Sequence, residues 1–320
     1  MADDTPALTL RVALARPLAE GIHGYELRAA DGTTLPPFEP GAHVTLDVPG
    51  AGARKYSLCN APGDADRYEI AVKREDAGRG GSAALIQRVR VGDVLAARAP
   101  RNDFPLAKRA QSFVFIAGGI GITPIMSMMR HLERTGGPRY KLYYLTRSPQ
   151  TTAFRDVLGG AEFAGKVVLH HDQGDPARTF DLWPVVERPT GAHLYCCGPR
   201  PLLQAVRDMT GHWSASKVRF ESFVDAAATR TASDHAFRVR LARSGRVVDV
   251  GADESILDAL RRAGMALPSS CESGTCGTCR TRLLAGDPDH RDLVLSEAEQ
   301  GSAIMICVSR ARSDVLELDL

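Results

Sequence analysis

Seven cysteines occur among the 320 residues, and three of them crowd into the glycine- and serine-rich stretch SSCESGTCGTC. Cys271, Cys276 and Cys279 are spaced C-x4-C-x2-C, and Cys307 follows after 27 intervening residues. Thiolates are the ligands of iron–sulfur clusters, and three close cysteines with one distant partner match the spacing of a [2Fe–2S] site. Gly274 and Gly277 suit such a loop, because backbone N–H groups must turn toward the sulfides at close range. Two other chemistries compete. A four-cysteine zinc site usually pairs two short CxxC knuckles, whereas here the fourth cysteine stands alone. A disulfide framework goes with export and an even cysteine count, and neither is read here.

A cluster takes one electron at a time, whereas a soluble reductant such as NADH gives two as hydride. A flavin is the usual converter. The rest of the chain should then carry flavin and nicotinamide sites.

Three kinds of segment are available to position these groups. Residues 1–108 read as short alternating strands (ALTLRVALARPLA, GIHGYELRAA, AHVTLDVP, RKYSLCN, RYEIAVKRE) broken by Gly, Pro and Asp, the pattern of a small antiparallel β-barrel. Residues 109–226 change to βαβ grammar. The apolar run SFVFIAGG reads as a buried parallel strand, and Ile125, Met128, Met129 and Leu132 follow at helical spacing. Thr123 is the expected N-cap of that helix, Pro124 its first residue, and Gly136 or Gly137 its stop. YKLYYLTRS, KVVLHHDQ and HLYCCGP add strands, so this part is expected to be an α/β domain around a parallel sheet. The small, polar stretch VDAAATRTASD marks the next boundary, with residues 227–234 as linker. Residues 235–320 begin with a hairpin turning at Ser244-Gly245, then a helix with Ile256, Leu257 and Leu260 on its buried face and Gly264 at its end. A unit this small gains from an internal metal staple.

Composition narrows the function classes. With 44% hydrophobic and 24% charged residues and a formal charge of +2, the chain is ordinary for a globular protein. There is no global electrostatic pull toward nucleic acid or an anionic membrane. The acidic N-terminus does not read as a secretory signal, and the longest apolar run, FVFIAGGIGITPIM, is broken by glycines and a proline. A cytoplasmic protein is expected.

Several motifs resemble the ferredoxin–NADP reductase superfamily. RKYSLCN is similar to its R-x-Y-S flavin motif, which implies Arg54 at the flavin phosphate, Tyr56 packed on the ring and Ser57 near the redox-active nitrogen. On its own, a Tyr-Ser in a strand is more often structural and an isolated arginine solvated. Lys73 in AVKRE fits the same pattern, and Gly80, Gly81 and Ser82 precede a helix whose amides and hydroxyl could hold phosphate. AGGIGITPIM is not a G-x-G-x-x-G fingerprint. It matches the nicotinamide motif of this superfamily through Gly118, Gly119, Gly121, Thr123 and Pro124, although a plain glycine turn between strand and helix would also fit. Cys197, Gly198 and Pro199 resemble the later C-G-P motif, and Glu221 and Phe223 in FESF the motif that closes this domain near the flavin and nicotinamide rings. Cys196 reads as a packed core thiol, and His170 and His171 as structural. Ser296 and Glu299 have capping-box spacing.

With the ferredoxin-like segment at the C-terminus, the chain resembles the phthalate dioxygenase reductase family, which includes vanillate O-demethylase reductases. That resemblance implies a multidomain protein with an antiparallel barrel, an α/β nucleotide domain and a β-grasp ferredoxin domain. It implies FMN, NADH and a [2Fe–2S] cluster as cofactors, with Ser57, Cys197 and Glu221 nearest the hydride transfer. The implied partner is a separate oxygenase component with a Rieske centre. Arg147 and Ser148 could in principle meet an NADPH phosphate, but YLTRSPQ looks typical of NADH-using members. A stand-alone reductase for a small acceptor or a haem partner is the alternative, and a redox-sensing or structural subunit is a third reading.

Overall fold

The N-terminal strands are β1 (Ala7–Ala19), β2 (Ile22–Ala29), β3 (His43–Val48), β4 (Gly52–Ser57), β5 (Tyr68–Lys73) and β6 (Val94–Arg101). They form one antiparallel sheet in the order β4-β3-β6-β1-β2-β5. Leu58 bridges Ile70, joining the end of β4 to the far edge strand and closing the sheet toward a barrel. Alternation explains the fill: Leu10, Val12, Val44, Leu46, Tyr68 and Ile70 point into one core. Helix α1 (Gly81–Arg88) adds Ala84 and Leu85 to it. The structure is a computed structural model that describes residues 7–76, 80–223 and 231–320.

The second sheet contains β7 (Ser112–Gly118), β8 (Arg139–Thr146), β9 (Val167–His171), β10 (His193–Cys197) and β11 (Val218–Glu221), in the order β11-β10-β7-β8-β9. β7 pairs in parallel with both β8 and β10. The chain therefore runs outward from β7 to β9 and then returns to the other side of β7. In open α/β sheets, ligands bind at the carboxyl ends of the strands where the order reverses, here between β7 and β10.

Helix α2 (Ile122–Thr135) begins earlier than its sequence suggests. A 3-10 turn over Gly119–Gly121 leads straight into it, and Gly121 takes the N-cap position. Thr123 lies inside the first turn, where its hydroxyl donates to the Ile120 carbonyl at 3.1 Å. Pro124 is the third helical residue rather than the first, still within the turn whose N–H groups need no helical partner. Gly136, left-handed at φ 60°, ends the helix as expected.

The barrel and the parallel sheet share one core. Ile22, Cys59 and Ala71 from the barrel join Phe113, Phe115, Ile125 and Met129. A Cβ on Gly41 would lie 2.1 Å from the Phe104 carbonyl oxygen and 2.9 Å from the Met128 methyl. Arg130 of α2 donates to the Cys59 carbonyl at 2.8 Å and pairs with Glu69 at 3.1 Å. Packing consequently divides the chain elsewhere than at residue 108. Of the described residues, those up to Gly198, with Asp208–Arg219, form one compact unit, and Pro199–Arg207 with those from Phe220 to Leu320 form the other.

The C-terminal unit has its own mixed sheet. Its strands are β12 (Phe237–Leu241), β13 (Val247–Val250), β14 (Arg280–Ala285), β15 (Ala303–Met305) and β16 (Val315–Leu318), in the order β13-β12-β16-β14-β15. β12 and β16 run parallel, and the other pairs antiparallel. Helix α4 (Ile256–Arg262) packs Ile256, Leu257 and Leu260 into the core formed with Val239, Leu241, Ile304, Leu316 and Leu318. Ser255 caps α4 by accepting from the Asp258 N–H at 3.1 Å, and Gly264 follows it at φ 86°. A helix lying on a mixed sheet with parallel central strands is the β-grasp arrangement. Of the expected linker, residues 227–230 lie outside the described residues. Its end is anchored, because the Asp234 carboxylate pairs with Arg291 at 2.5 Å and with Arg310 at 3.5 Å. No helix among the described residues is long and apolar enough to cross a membrane.

Candidate functional site

The four cysteines of the spacing motif stand as two pairs. The Cys271 N–H donates to Cys276 Sγ at 3.5 Å, and the N–H groups of Ser273 and Thr275 donate to Cys271 Sγ at 3.4 and 3.5 Å. Hydrogen bonding from Cys276 holds the Cys271 thiol well below its usual range, and hydrogen bonding from Cys307 lowers that of Cys279. Repulsion from Cys271 acts to raise both the Cys279 and the Cys307 thiols. Among the described residues, no group of three or more His, Cys, Asp or Glu side chains gathers as a site for a single metal ion. Two pairs suit two irons that each take two cysteines. A single zinc would need all four around one point. Amides turned onto sulfur, as expected for this loop, depend on Gly274 and Gly277, which sit at φ 75° and 83°.

Within the N-terminal unit, β4 and the start of α1 come together. The Arg54 side chain lies over Gly81, so a Cβ there would be 2.5 Å from Arg54 Nε. Gly80, left-handed at φ 75°, is the N-cap of α1 and supplies no side chain to its first amides. The Ser82 hydroxyl accepts from the Glu75 N–H at 3.0 Å, which leaves its proton for another acceptor. A guanidinium over the uncapped first turn of a helix is fitted to a phosphate group. Tyr56, on the same face of β4 as Arg54, is half-buried, and burial pushes its hydroxyl up to about 12. Lys73 ends β5 exposed, 3.6 Å from Glu75. Residues 77–79, just before the glycine pair, lie outside the described residues.

Ser57 is buried at the end of β4, directly across the ladder from His43. His43 carried no signal in the sequence. It is 5% exposed, and its Nε2 has no hydrogen-bond partner. Burial, reinforced by Lys55 and Arg101 and opposed by Asp103, pushes its imidazole down to about 4. A histidine kept neutral in the fold contributes stability that is present above its unfolded value near 6.5 and is lost as pH falls toward 4. Between pH 7 and 4.5 that loss should be roughly 2–3 kcal/mol. Urea unfolding of His43→Gln at the two pH values should show a smaller acid penalty by that amount. An equal penalty in both proteins would assign the acid sensitivity elsewhere.

The turn over residues 118–124 lies at the carboxyl-end crevice between β7 and β10. Cys197 pairs with Ala117, which puts Gly118 and Gly198 at adjacent strand ends. Gly121 meets them so closely that a Cβ would be 2.1 Å from the Cys197 carbonyl oxygen and 2.8 Å from the Gly198 nitrogen. Gly119, at φ 53°, makes the turn between strand and helix. Thr123 and Pro124 are buried beneath this turn, and Cys196 and Cys197 are fully buried. Pro199, Glu221 and Phe223 fall in the C-terminal unit. Glu221 ends β11, and Phe223 is 47% exposed.

Several other polar side chains have local structural partners. His170 bonds the Arg178 carbonyl at 2.6 Å, and His171 bonds the Thr146 hydroxyl at 2.9 Å. The Ser148 hydroxyl accepts from Thr151 N–H in a 3-10 turn. The Glu299 carboxylate accepts from the Ser296 N–H at 3.0 Å, the expected half of a capping box.

Residues 239–312 match the family of 2Fe-2S iron-sulfur cluster binding domains. Over 313 residues the chain is 53% identical to the phthalate 4,5-dioxygenase oxygenase reductase subunit of Pseudomonas putida, covering 97% of this chain and 96% of that protein. It is 51% identical over 314 residues to phthalate dioxygenase reductase of Burkholderia cepacia, covering 98% and 97%. A solved structure of phthalate dioxygenase reductase, described as modular for electron transfer from pyridine nucleotides to [2Fe-2S], matches with a TM-score of 0.72 at 50% identity and covers 98% of both chains.

Proposed function

The chain belongs to the phthalate dioxygenase reductase family, and we propose that it is the NADH-dependent reductase component of a two-component Rieske-type oxygenase or O-demethylase. The single observation that carries this reading is the presence, in one chain, of the paired cysteines and the glycine turn closed on Cys197. When bound, FMN supplies the change from a two-electron hydride to single electrons, which the [2Fe–2S] cluster can carry.

The residues bind and orient rather than exchange protons. Arg54, Gly80, Gly81 and Ser82 hold the flavin phosphate, Tyr56 packs on its ring, and Lys73 and Ser57 complete its site. Gly118, Gly119, Gly121, Thr123 and Pro124 form the platform for the dinucleotide, with Cys197, Gly198 and Pro199 beside its reacting end. By the family resemblance, Glu221 and Phe223 belong to the motif that ends the nucleotide domain. Hydride transfer needs reacting atoms about 3–3.5 Å apart, so tight backbone contact at the platform is the main catalytic contribution. Cys271, Cys276, Cys279 and Cys307 hold the cluster. Three functional domains, bounded near residues 108 and 226, remain the reading by role, although packing groups the first two. The partner is a separate oxygenase with a Rieske centre, in the cytoplasm, and neither nucleic acid nor membrane is a partner.

The test is an anaerobic titration with NADH after flavin, iron and sulfide have been quantified. About two irons per chain are expected, with flavin and cluster bands bleaching together. Bleaching of flavin alone would favour a structural cluster, and absence of either group would overturn the proposal. Efficient turnover of a quinone or ferric chelate without a protein partner would favour a stand-alone reductase.

A further inference from the structure

A tight turn over residues 291–295 ties together the two cysteine-bearing segments of the C-terminal unit. On one side, the Leu293 N–H donates to the Gly274 carbonyl at 2.9 Å, between Cys271 and Cys276. The Arg291 N–H donates to the Ser309 hydroxyl at 3.2 Å, two residues past Cys307. Gly274 is hemmed in from both directions, since a Cβ there would lie 3.1 Å from Asp292 Cα and 2.7 Å from Val308 Cγ2. The turn is wound by the Asp292 carboxylate, whose Oδ1 accepts from the N–H groups of Val294 at 2.9 Å and Leu295 at 2.7 Å.

Two arginines of helix α3 (Arg200–Met209) grip the turn. Arg207 donates from Nη1 to the Asp292 carbonyl at 2.6 Å and from Nη2 to the Leu295 carbonyl at 2.7 Å. Arg200, seven residues earlier and so on the same helix face, donates from Nη2 to the Arg291 carbonyl at 2.6 Å. Pro199–Arg207 packs as part of this unit. Three charge-assisted bonds to one five-residue turn are more than surface solvation requires, and the rigid guanidinium fork fixes the spacing of two carbonyls at once.

We propose that Arg207, with Arg200, is a positioning residue for the iron–sulfur centre, holding turn 291–295 and through it the segments that carry Cys271, Cys276 and Cys307. This rests on the reading of the four cysteines as cluster ligands. The arginines need not touch the cluster. They fix the distance between its two ligand-bearing segments, and so the shape of the site and its resistance to losing iron.

The test uses the full-length chain with its cluster in place, as parent, Arg207→Gln, Arg207→Lys and Arg200→Gln/Arg207→Gln. Three quantities are read: the EPR line shape after dithionite reduction, the midpoint potential, and the rate at which a chelator strips iron. Arg207→Gln should alter the line shape, shift the potential and lose iron about tenfold faster. Arg207→Lys, which reaches one carbonyl, should fall between, and the double variant should exceed both. Unchanged spectrum, potential and iron loss in Arg207→Gln and the double variant, with normal flavin content, would overturn the proposal. If Arg207→Gln lacks flavin as well as iron, its fold has failed and the lysine variant decides on the same readouts. A parent that holds flavin but no iron would overturn the ligand assignment itself, and this inference with it.

Discussion

Replacing Cys307 with alanine should reduce the iron content from about two per chain to near zero while leaving NADH able to bleach the flavin. Cys307 is 2% exposed, pairs with Cys279, and follows β15 in the core of the C-terminal unit. No other free cysteine belongs to that unit apart from the three on the loop, so no replacement thiol is at hand. A site left with three ligands forfeits both the cluster and the folding energy that its binding supplies. NADH-driven reduction of a one-electron protein acceptor should fall at least ~100-fold, and the thermal transition of the C-terminal unit should move down. Iron and sulfide assays, with flavin bleaching as the internal control, decide it. Two irons retained in Cys307→Ala would mean that the fourth ligand lies elsewhere.

Gly121→Ala should have an effect of similar size on the other half of the reaction. Its methyl would lie 2.1 Å from the Cys197 oxygen and 2.4 Å from the Cys197 carbonyl carbon. Both are backbone atoms at a strand end, so the neighbour cannot swing aside, and the turn or β10 must move. Displacing a platform by about 1 Å can cost 10²-fold in a transfer that depends on near contact. Stopped-flow reduction by NADH should slow by about that factor, while dithionite still reduces both centres and flavin content stays normal. Gly119→Ala is the useful contrast. Nothing lies within 4 Å of its added Cβ, and only its φ of 53° is unfavourable, a strain of order 1 kcal/mol. A rate for Gly121→Ala within about threefold of the parent would remove this turn from the nucleotide site.

Chemistry that depends on local spacing was legible in the sequence. As the proposed ligands, Cys271, Cys276 and Cys279 would have to reach one cluster from one loop, which constrains their intervals, and Gly274 and Gly277 among them take left-handed backbone. The turn at Gly118–Gly121 is legible for the same reason. The start of α2 was harder, because Thr123-Pro124 has the look of a cap and first residue, while a 3-10 turn had already begun the helix at that point. Contacts that close over long separations left no trace. Arg207 is one basic residue among 40, and only the fold brings it to carbonyls 85 and 88 positions away. His43 reads as one more strand residue until its neighbours Lys55, Arg101 and Asp103 are known. Asp234 ends a polar stretch that reads as linker, and its partners Arg291 and Arg310 lie far along the chain.

The core shared between the barrel and the parallel sheet bears on how such chains can be recombined. A crossover between two relatives near residue 108 would bring Ile22, Cys59 and Ala71 from one parent against Met128, Met129 and Arg130 from the other. Gly41 would then have to accommodate a foreign side chain where Met128 now fits. Such chimeras should inherit a mismatched interior even when every cofactor motif is intact. The flavin and nucleotide halves are therefore expected to be exchanged as a single cassette.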